Sequence, residues 1–432
     1  MTGASPSDSE VDLQDAPHTT AGKGREQKVS WLELFFDLIF VVAFDQLAKR
    51  LGDAPTLENV AAFTLMFLAV WWAWAGNALL SARYGNEGRV YRWGTVLELI
   101  SMTLIAVTVR GDLHQTGWMF AAAYGVNRVI QGVTSLMEGR THAGPFARRS
   151  GGGTLVVAAL WLGSLALPSG STAQFGVWVG ALLSDLLLPL MIRRSQTSQT
   201  DLPHEEHLPE RVGLLQIIAL GAVLNEVVGG SRRQELGVQT LVPALMSILT
   251  VVALWRLYFD QARALPLLFA HLGGQLGRLQ AWLYGHVPFT LSIVTLGVGL
   301  GHGISEADAR KDAIQQQFVV WPLVGAFLTL AFLRLNSLRA AHFGLWGGSL
   351  AGRRRDRSLP AVLVAAALVG TLAFLDLNTL QLQLLVAAVA VLAAIVVATD
   401  PVTRQLGRLE EKVNEVVTEA GSRASAEEGS GG

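Results

Sequence analysis

The sequence contains no cysteine. Disulfide bridges, thiolate nucleophiles and Cys-ligated metals are therefore excluded. Charge is scarce too: 16% of the 432 residues are charged, against roughly 25% in soluble domains. The scarcity is uneven, because residues 1–30 and 402–432 are polar and most of the apolar content lies between them. This distribution excludes an ordinary soluble enzyme and a secreted disulfide scaffold. Neither sign of charge dominates, with 33 basic and 34 acidic residues, so nothing global favours nucleic acid as a partner. A Ser/His/Asp triad, a Walker loop, a dinucleotide fingerprint, an H-E-x-x-H helix and the Thr-Val-Gly-Tyr-Gly filter of potassium channels are all missing. The first 30 residues hold no apolar core, so no cleavable signal peptide is expected and the first apolar segment is expected to direct its own insertion.

What is present is a succession of long apolar runs. A helix needs about 20 mainly apolar residues to cross a bilayer. Twelve segments qualify, near 31–48, 57–81, 90–109, 114–137, 153–168, 172–192, 212–229, 237–259, 280–301, 318–334, 359–376 and 380–398. The fifth and eleventh are short and the turn at 376–380 is tight, so ten or eleven is the alternative count. Backbone groups find no partner in lipid, which makes these segments helices, and no alternating strand pattern of a barrel appears. The expected fold is all-α, a polytopic transmembrane bundle of about 12 spans. Its parts are a disordered N-terminal tail (1–30), a first six-helix half (31–192), a linker (193–211), a second six-helix half (212–398) and a C-terminal tail (399–432) with a short amphipathic helix.

With the N-terminus placed inside, the inner segments carry 23 Lys and Arg and the outer loops 7. That asymmetry obeys the positive-inside rule and puts both termini in the cytoplasm of a cell whose inner (plasma) membrane holds the chain. The halves have corresponding features. Glu33 opens the first span and Glu210-Arg211 precedes the seventh; Trp71, Trp72, Trp74 and then Tyr84 mark the second, Trp255 and then Tyr258 the eighth. The pattern reads either as a diverged 6+6 parallel duplication, with its axis along the membrane normal, or as chance similarity among apolar helices. In the tail, Val402, Leu406, Leu409, Val413 and Val416 follow a 4-3-4-3 spacing. It is too short for an established coiled coil and suits self-association into a homo-oligomer or a surface amphipathic helix. Gly176-x-x-x-Gly180 permits close helix contact, and Gly297, Gly299, Gly301 and Gly303 suggest close packing or an irregular turn.

Residues 31–48 (WLELFFDLIFVVAFDQLA), 207–224 (HLPERVGLLQIIALGAVL), 254–260 (LWRLYFD) and 283–302 (LYGHVPFTLSIVTLGVGLGH) carry a resemblance. Together they resemble the bacterial low temperature requirement protein A (LtrA) family over roughly 28–400. The positions matching its motifs are Glu33, Phe36, Asp37, His207, Glu210, Arg211, Gly221, Tyr258 and His286. The family's Leu-Gly-Glu in the seventh span is Leu220-Gly221-Ala222 here, and an acid returns one turn later at Glu226. The resemblance implies a polytopic membrane fold and a bacterial inner-membrane address; the family takes its name from a growth phenotype rather than from a reaction.

Ionisable residues inside the spans are the candidate site. At about 1.5 Å per residue, Asp37, Glu98, Arg128, Asp185 and His286 all lie about 9–14 Å from the inner surface. An ionised group at mid-bilayer costs at least about 2.5–3.5 kcal/mol, so these residues need partners, water or a function. Glu33 and Asp37 are four apart and share a helix face, and Asp45 extends the acidic stripe. The expected ion or proton path is therefore Glu33, Asp37, Glu98, Arg128, Asp185 and His286, with Asp37 and Glu98 taking the cation or proton, Arg128 as counter-charge and His286 as a proton carrier. A closed network that only fixes helix packing is the other reading. Glu210-Arg211 fits either a pair with Glu33 or Asp37 at the inner mouth or an interfacial ion pair of little weight. His204-Glu205-Glu206-His207 resembles a metal cluster but lies in a polar loop, where capping of the seventh span is expected instead. No catalytic residue, metal or cofactor is expected. The expected partners are the lipid bilayer, an unidentified small solute or ion, and a second copy of the chain. The functions compatible with this pattern are transport of a cation, proton or small solute, an intramembrane metal-dependent enzyme acting on lipid, and a non-transporting structural or stress-related membrane component.

Overall fold

The computed structural model describes residues 27–109, 113–141, 145–191, 202–232, 235–273, 276–305, 313–343 and 356–430. Their regular elements are all helical. In chain order they are α1 (Trp31–Asp53), α2 (Leu57–Tyr84), α3 (Arg89–Thr108), α4 (Leu113–Thr141), α5 (Pro145–Gly163), a 3-10 turn (Ser164–Ala166), α6 (Thr172–Met191), α7 (His207–Ser231), α8 (Val238–Gln261), α9 (Leu265–Gly273), α10 (Leu276–Ser305), α11 (Ala313–Phe343), α12 (Ser358–Leu372), α13 (Thr379–Thr399) and α14 (Pro401–Ser430).

Eight helical stretches are long and apolar enough to cross a bilayer: α2, α3, α6, α7, the run Val238–Leu272 formed by α8 and α9, and the apolar parts of α10, α11 and α13. The chain is thus a multi-pass helical membrane protein. The remaining four expected spans fall on α1, α4, α5 and α12. Each departs from the apolar norm for a visible reason. α1 carries Glu33, Asp37, Asp45, Lys49 and Arg50, α4 has Arg128 and several amides, α5 begins with Arg148 and Arg149, and α12 has 15 residues.

α1 starts at a reciprocal cap. Ser30 Oγ accepts the Glu33 N–H at 3.3 Å, and the Glu33 carboxylate accepts the Ser30 N–H at 2.8 Å. The cap satisfies amides that a helix start leaves without partners, and it also fixes Glu33 as the first inward-facing acid. Packing then follows the same course in each half. α1 packs on α2 and α3, α3 on α4, α4 on α5, α5 on α6, and α2 on α6; correspondingly α7 packs on α8 and α10, α10 on α11, α11 on α12, α12 on α13, and α8 on α13. The halves meet where α1 lies against both α7 and α10. α2, with Trp71, Trp72 and Trp74 all buried, is among the most enclosed of the apolar helices.

Glycine sets the closest approaches. A Cβ on Gly132 would stand 3.1 Å from the Gly151 carbonyl oxygen, and one on Gly151 would stand 2.9 Å from that of Gly132. α4 and α5 are therefore in backbone contact. On α10 the alternating glycines face different neighbours: Gly297 and Gly301 meet α7 at Val223 and Glu226, and Gly299 meets α11 at Phe318. Residues two apart on a helix differ by about 200°, so they look opposite ways. Helix α10 continues through this region to Ser305; close packing, not an irregular turn, is what these glycines provide. At Gly176 and Gly180 no atom lies within 4 Å of where a Cβ would be, so that pair makes no close contact within the chain.

At one end of the bundle α9 and α14 form a small separate core. Val402, Leu406, Leu409 and Val413 are buried with Leu265, Leu268, Phe269, Ala340 and Ala341. The fifth buried position is Val417, whereas Val416 is exposed, because a straight helix drifts from a seven-residue repeat. Arg263 and the Ala264 N–H hold Glu410 at 3.1 and 2.7 Å, and Asn414 reaches Glu206 at 2.5 Å. The apolar face expected to serve self-association or a lipid surface is spent on the chain's own α9.

Asp400 joins three helices here. It accepts the N–H groups of Arg357 (3.2 Å), Ser358 (3.1 Å) and Val402 (3.1 Å) and the Ser358 hydroxyl (2.6 Å). Burial acts against its ionisation, but these hydrogen bonds outweigh burial and hold the carboxyl below its ordinary value. The folded form thus binds the proton less readily than the unfolded form. Its stabilisation is complete above the ordinary aspartate range and disappears as pH falls through the lowered folded value. Asp400→Asn is expected to cost about 2 kcal/mol at neutral pH, the scale of hydrogen bonds to a charged group. It should also flatten the acid limb of a melting-temperature profile in detergent, and an unchanged acid limb would count against this role.

Candidate functional site

The site begins with one face of α2. Trp74, Asn77 and Ser81 are spaced three and four apart, all buried, and line up toward α1 and α7. From α1 come Glu33 and Asp37, from α3 Tyr91, and from α7 His207 and Arg211. Every one of these side chains is essentially sealed from solvent. Arg211 bridges the two acids of α1, with Nη1 3.0 Å from Glu33 Oε1 and Nη2 2.5 Å from Asp37 Oδ1. Trp74 Nε1 donates to the same Asp37 oxygen at 2.8 Å. Glu33 is saturated: Ser30 and Asn86 donate to Oε2, and Tyr91, Arg211 and His207 surround Oε1.

His207 has an acceptor before each ring nitrogen. Nδ1 faces the Gln27 carbonyl at 3.3 Å and Nε2 faces Glu33 at 3.0 Å. The Ser81 hydroxyl also lies 3.3 Å from Nε2. Arg211 thus serves both acids of α1, and His207 adds a hydrogen bond to Glu33. The geometry fits the requirement that a buried charge be paired and hydrogen-bonded.

A second centre lies among α3, α4 and α6. Arg128 Nη1 is 3.2 Å from Asp185 Oδ2, and Tyr124 donates to the same oxygen at 3.2 Å. Asn127 accepts from Arg128 at 3.2 Å and donates to Ser101 at 2.9 Å. Between the two centres sits Glu98, fully buried. Its Oε2 accepts from the Gln131 amide at 3.4 Å, and Asn77 adjoins it. Its Oε1 makes no hydrogen bond. Among the described residues no ion pair includes Glu98.

The expected path residues are therefore divided. Glu33 and Asp37 gather around Arg211, Asp185 pairs with Arg128, and Glu98 lies between them. The counter-charge expected from Arg128 for Asp37 comes instead from Arg211, which is buried rather than interfacial. His207, expected to solvate and cap the seventh span, turns inward; His204 Nδ1 faces the N–H groups of Glu206 and His207. No three His, Asp or Glu side chains among the described residues come together as a metal site. His286 is not brought to the acids. Its Nδ1 donates to the Trp282 carbonyl at 2.7 Å, and Trp282 and Tyr258 enclose its ring at centroid distances of 4.5 and 5.7 Å. One turn on, Thr290 links Trp71 of α2 with Gln216 of α7. Asp45 pairs with Lys49 at 2.5 Å and accepts from Asn225 at 3.0 Å, toward the other end of α1. Of the remaining motif positions, Phe36 and Tyr258 are core residues, Glu210 is exposed, and Gly221 faces open space.

Trp74, Asn77, Ser81, Asn86, Tyr91 and Gln131 belong to the site without having been expected there. The spacing of Trp74, Asn77 and Ser81 was a usable signal, since polar or N–H-bearing groups at i, i+3 and i+7 of an apolar helix share one face.

A multi-pass α-helical membrane protein with a buried charge centre joining its first and seventh helices is the class these features define. The model of the bacterial low temperature requirement A protein (LtrA) family matches residues 28–398. The chain belongs to the LtrA family. It is also 27% identical over 287 residues, 63% of this chain and 69% of the relative, to the uncharacterized protein RA0937 of Rhizobium meliloti (strain 1021). No solved structure matches it.

Proposed function

We propose that this LtrA protein lies in the inner (plasma) membrane with both termini cytoplasmic and moves a proton, a cation or a small solute across it. The observation that carries the reading is Glu98, a sealed carboxyl with one oxygen free of hydrogen bonds, set between two ion-paired centres. A carboxyl so placed lowers its cost of burial either by holding a proton or by receiving a cation, and exchange of that occupant is what translocation requires. The 23 to 7 partition of basic residues supports the orientation. Twelve spans in two six-helix halves follow from taking α1, α4, α5 and α12 as spanning with the rest and α9 as lying at the surface. The matching sequence of helix contacts in the two halves supports a parallel duplication. A network that only locks helices is the second reading, favoured by Arg211 closing on both acids of α1.

A flux screen in proteoliposomes over protons, alkali cations and small solutes separates the two. Transport by the wild type is expected, with Asp37→Asn reducing it to the protein-free rate while insertion and yield persist. Wild-type vesicles that move nothing, or an Asp37 variant with full flux, would leave only the helix-locking reading.

A further inference from the structure

Resting on that reading, we propose that the ion exchanged at the buried acids is the proton and not a metal cation, with Glu98 as the group that takes and releases it. The argument is the chemistry of the surrounding atoms. A hard metal cation must replace its hydration shell with oxygens, about six or more for Ca²⁺ and an octahedral set for Mg²⁺; K⁺ in a filter is likewise held by rings of carbonyl oxygens. The neighbours here are mostly N–H donors.

Gln131 presents its Nε2 to Glu98 at 3.4 Å. The Asn77 oxygen is occupied by Arg211 (3.3 Å) and Tyr91 (3.4 Å), so its NH₂ group, which donates to Thr95 at 3.1 Å, is what remains for Glu98. The Ser101 hydroxyl donates to the Glu98 carbonyl at 2.8 Å and accepts from Asn127 at 2.9 Å. Asp37 faces Trp74 Nε1 and Arg211. Among the carboxylate oxygens of the two centres and Glu98, Glu98 Oε1 and Asp37 Oδ2 are fully buried without a hydrogen bond. Two oxygens do not make a metal shell, and the guanidinium groups of Arg128 and Arg211 repel a further cation. A proton needs one oxygen.

The charged groups that act on Glu98 are Arg128 of α4 and Arg211 of α7, which in turn hold Asp185, Glu33 and Asp37. All the carboxylates except Glu98 have a cationic partner in place. A proton arriving at or leaving Glu98 therefore changes the charge of the site without first breaking an ion pair.

The test follows an internal pH dye in proteoliposomes prepared in choline salts, with the pH gradient as the only driving force. Wild type is expected to dissipate the gradient without Na⁺ or K⁺, and Glu98→Gln to lose this activity. Infrared difference spectra of the full chain give a second readout. A protonated-carboxyl band that responds to pH and not to Na⁺ or K⁺, and that is missing in Glu98→Gln, is expected even if that variant folds poorly enough to confuse the flux. Movement that appears only with Na⁺ or K⁺, or a carboxylate band shifted by either ion, overturns the proton assignment and leaves transport standing. Correctly inserted wild type that moves no ion or solute overturns both.

Discussion

Replacing Arg211 by methionine is expected to unfold or strongly destabilise the protein, by about 3–5 kcal/mol, the cost of removing one partner from a buried ion pair. The expectation is at the upper end because this guanidinium serves two acids. Glu33 keeps Ser30, Asn86, Tyr91 and His207 when Arg211 is lost, but Asp37 keeps only the Trp74 indole N–H among its hydrogen bonds. Asp37 therefore suffers most. Asp37→Asn combined with Arg211→Met should recover part of the loss, since it removes the stranded carboxylate, and Arg211→Lys should recover less than retention of charge alone suggests. One ammonium on a flexible stem does not reproduce a planar fork whose two nitrogens each hold a different carboxylate. Thermal unfolding of purified protein in detergent reads all three. Wild-type stability in Arg211→Met would mean that the bridge does not tie α7 to α1.

The second large effect is expected at Gly230. A Cβ there would stand 2.1 Å from the Gly301 carbonyl oxygen, and one on Gly301 would stand 2.8 Å from the Glu226 carbonyl oxygen. Both obstacles are backbone, which a rotamer change does not move. Overpacking a core costs about 1–3 kcal/mol when side chains yield; here α7 and α10 must separate, so Gly230→Val should exceed that range and give aggregated or misassembled material on size exclusion. Gly229→Val is the control, because nothing lies within 4 Å of that position. Equal behaviour of the two variants would show that the close approach of α7 and α10 contributes little. The consequence reaches the charge centre, because α7 carries His207 and Arg211 at its start and its docking on α10 sets their distance from α1.

Much of the architecture was legible from residue types alone. Apolar runs gave the helices. The count of apolar spans was harder to read, because α1 and α4 carry charge for the site and α5 and α12 are glycine-interrupted or short. α9 was not expected: the spans at 237–259 and 280–301 leave Leu265–Gly273 in the connection between them, and its packing on α10, α11 and α14 is a tertiary feature. In the site, Glu33, Asp37, Glu98, Arg128 and Asp185 were visible as costly residues in apolar helices. Their pairing was not. Arg211 sits beside exposed Glu210 at a helix start, and local sequence does not tell which of the two turns inward.

The sequence by itself determined that this is a multi-pass helical membrane protein with acids and an arginine inside its apolar segments, because hydropathy and charge are properties of each residue wherever it packs. Tertiary structure decided that Arg211, brought from 174 or more residues away, bridges Glu33 and Asp37 while His207 adds a hydrogen bond to Glu33, and that Arg128 answers Asp185 with Glu98 left between. Ion pairing over a few ångströms depends on which helix faces meet, and that is set by glycine contacts and core packing spread across the whole chain.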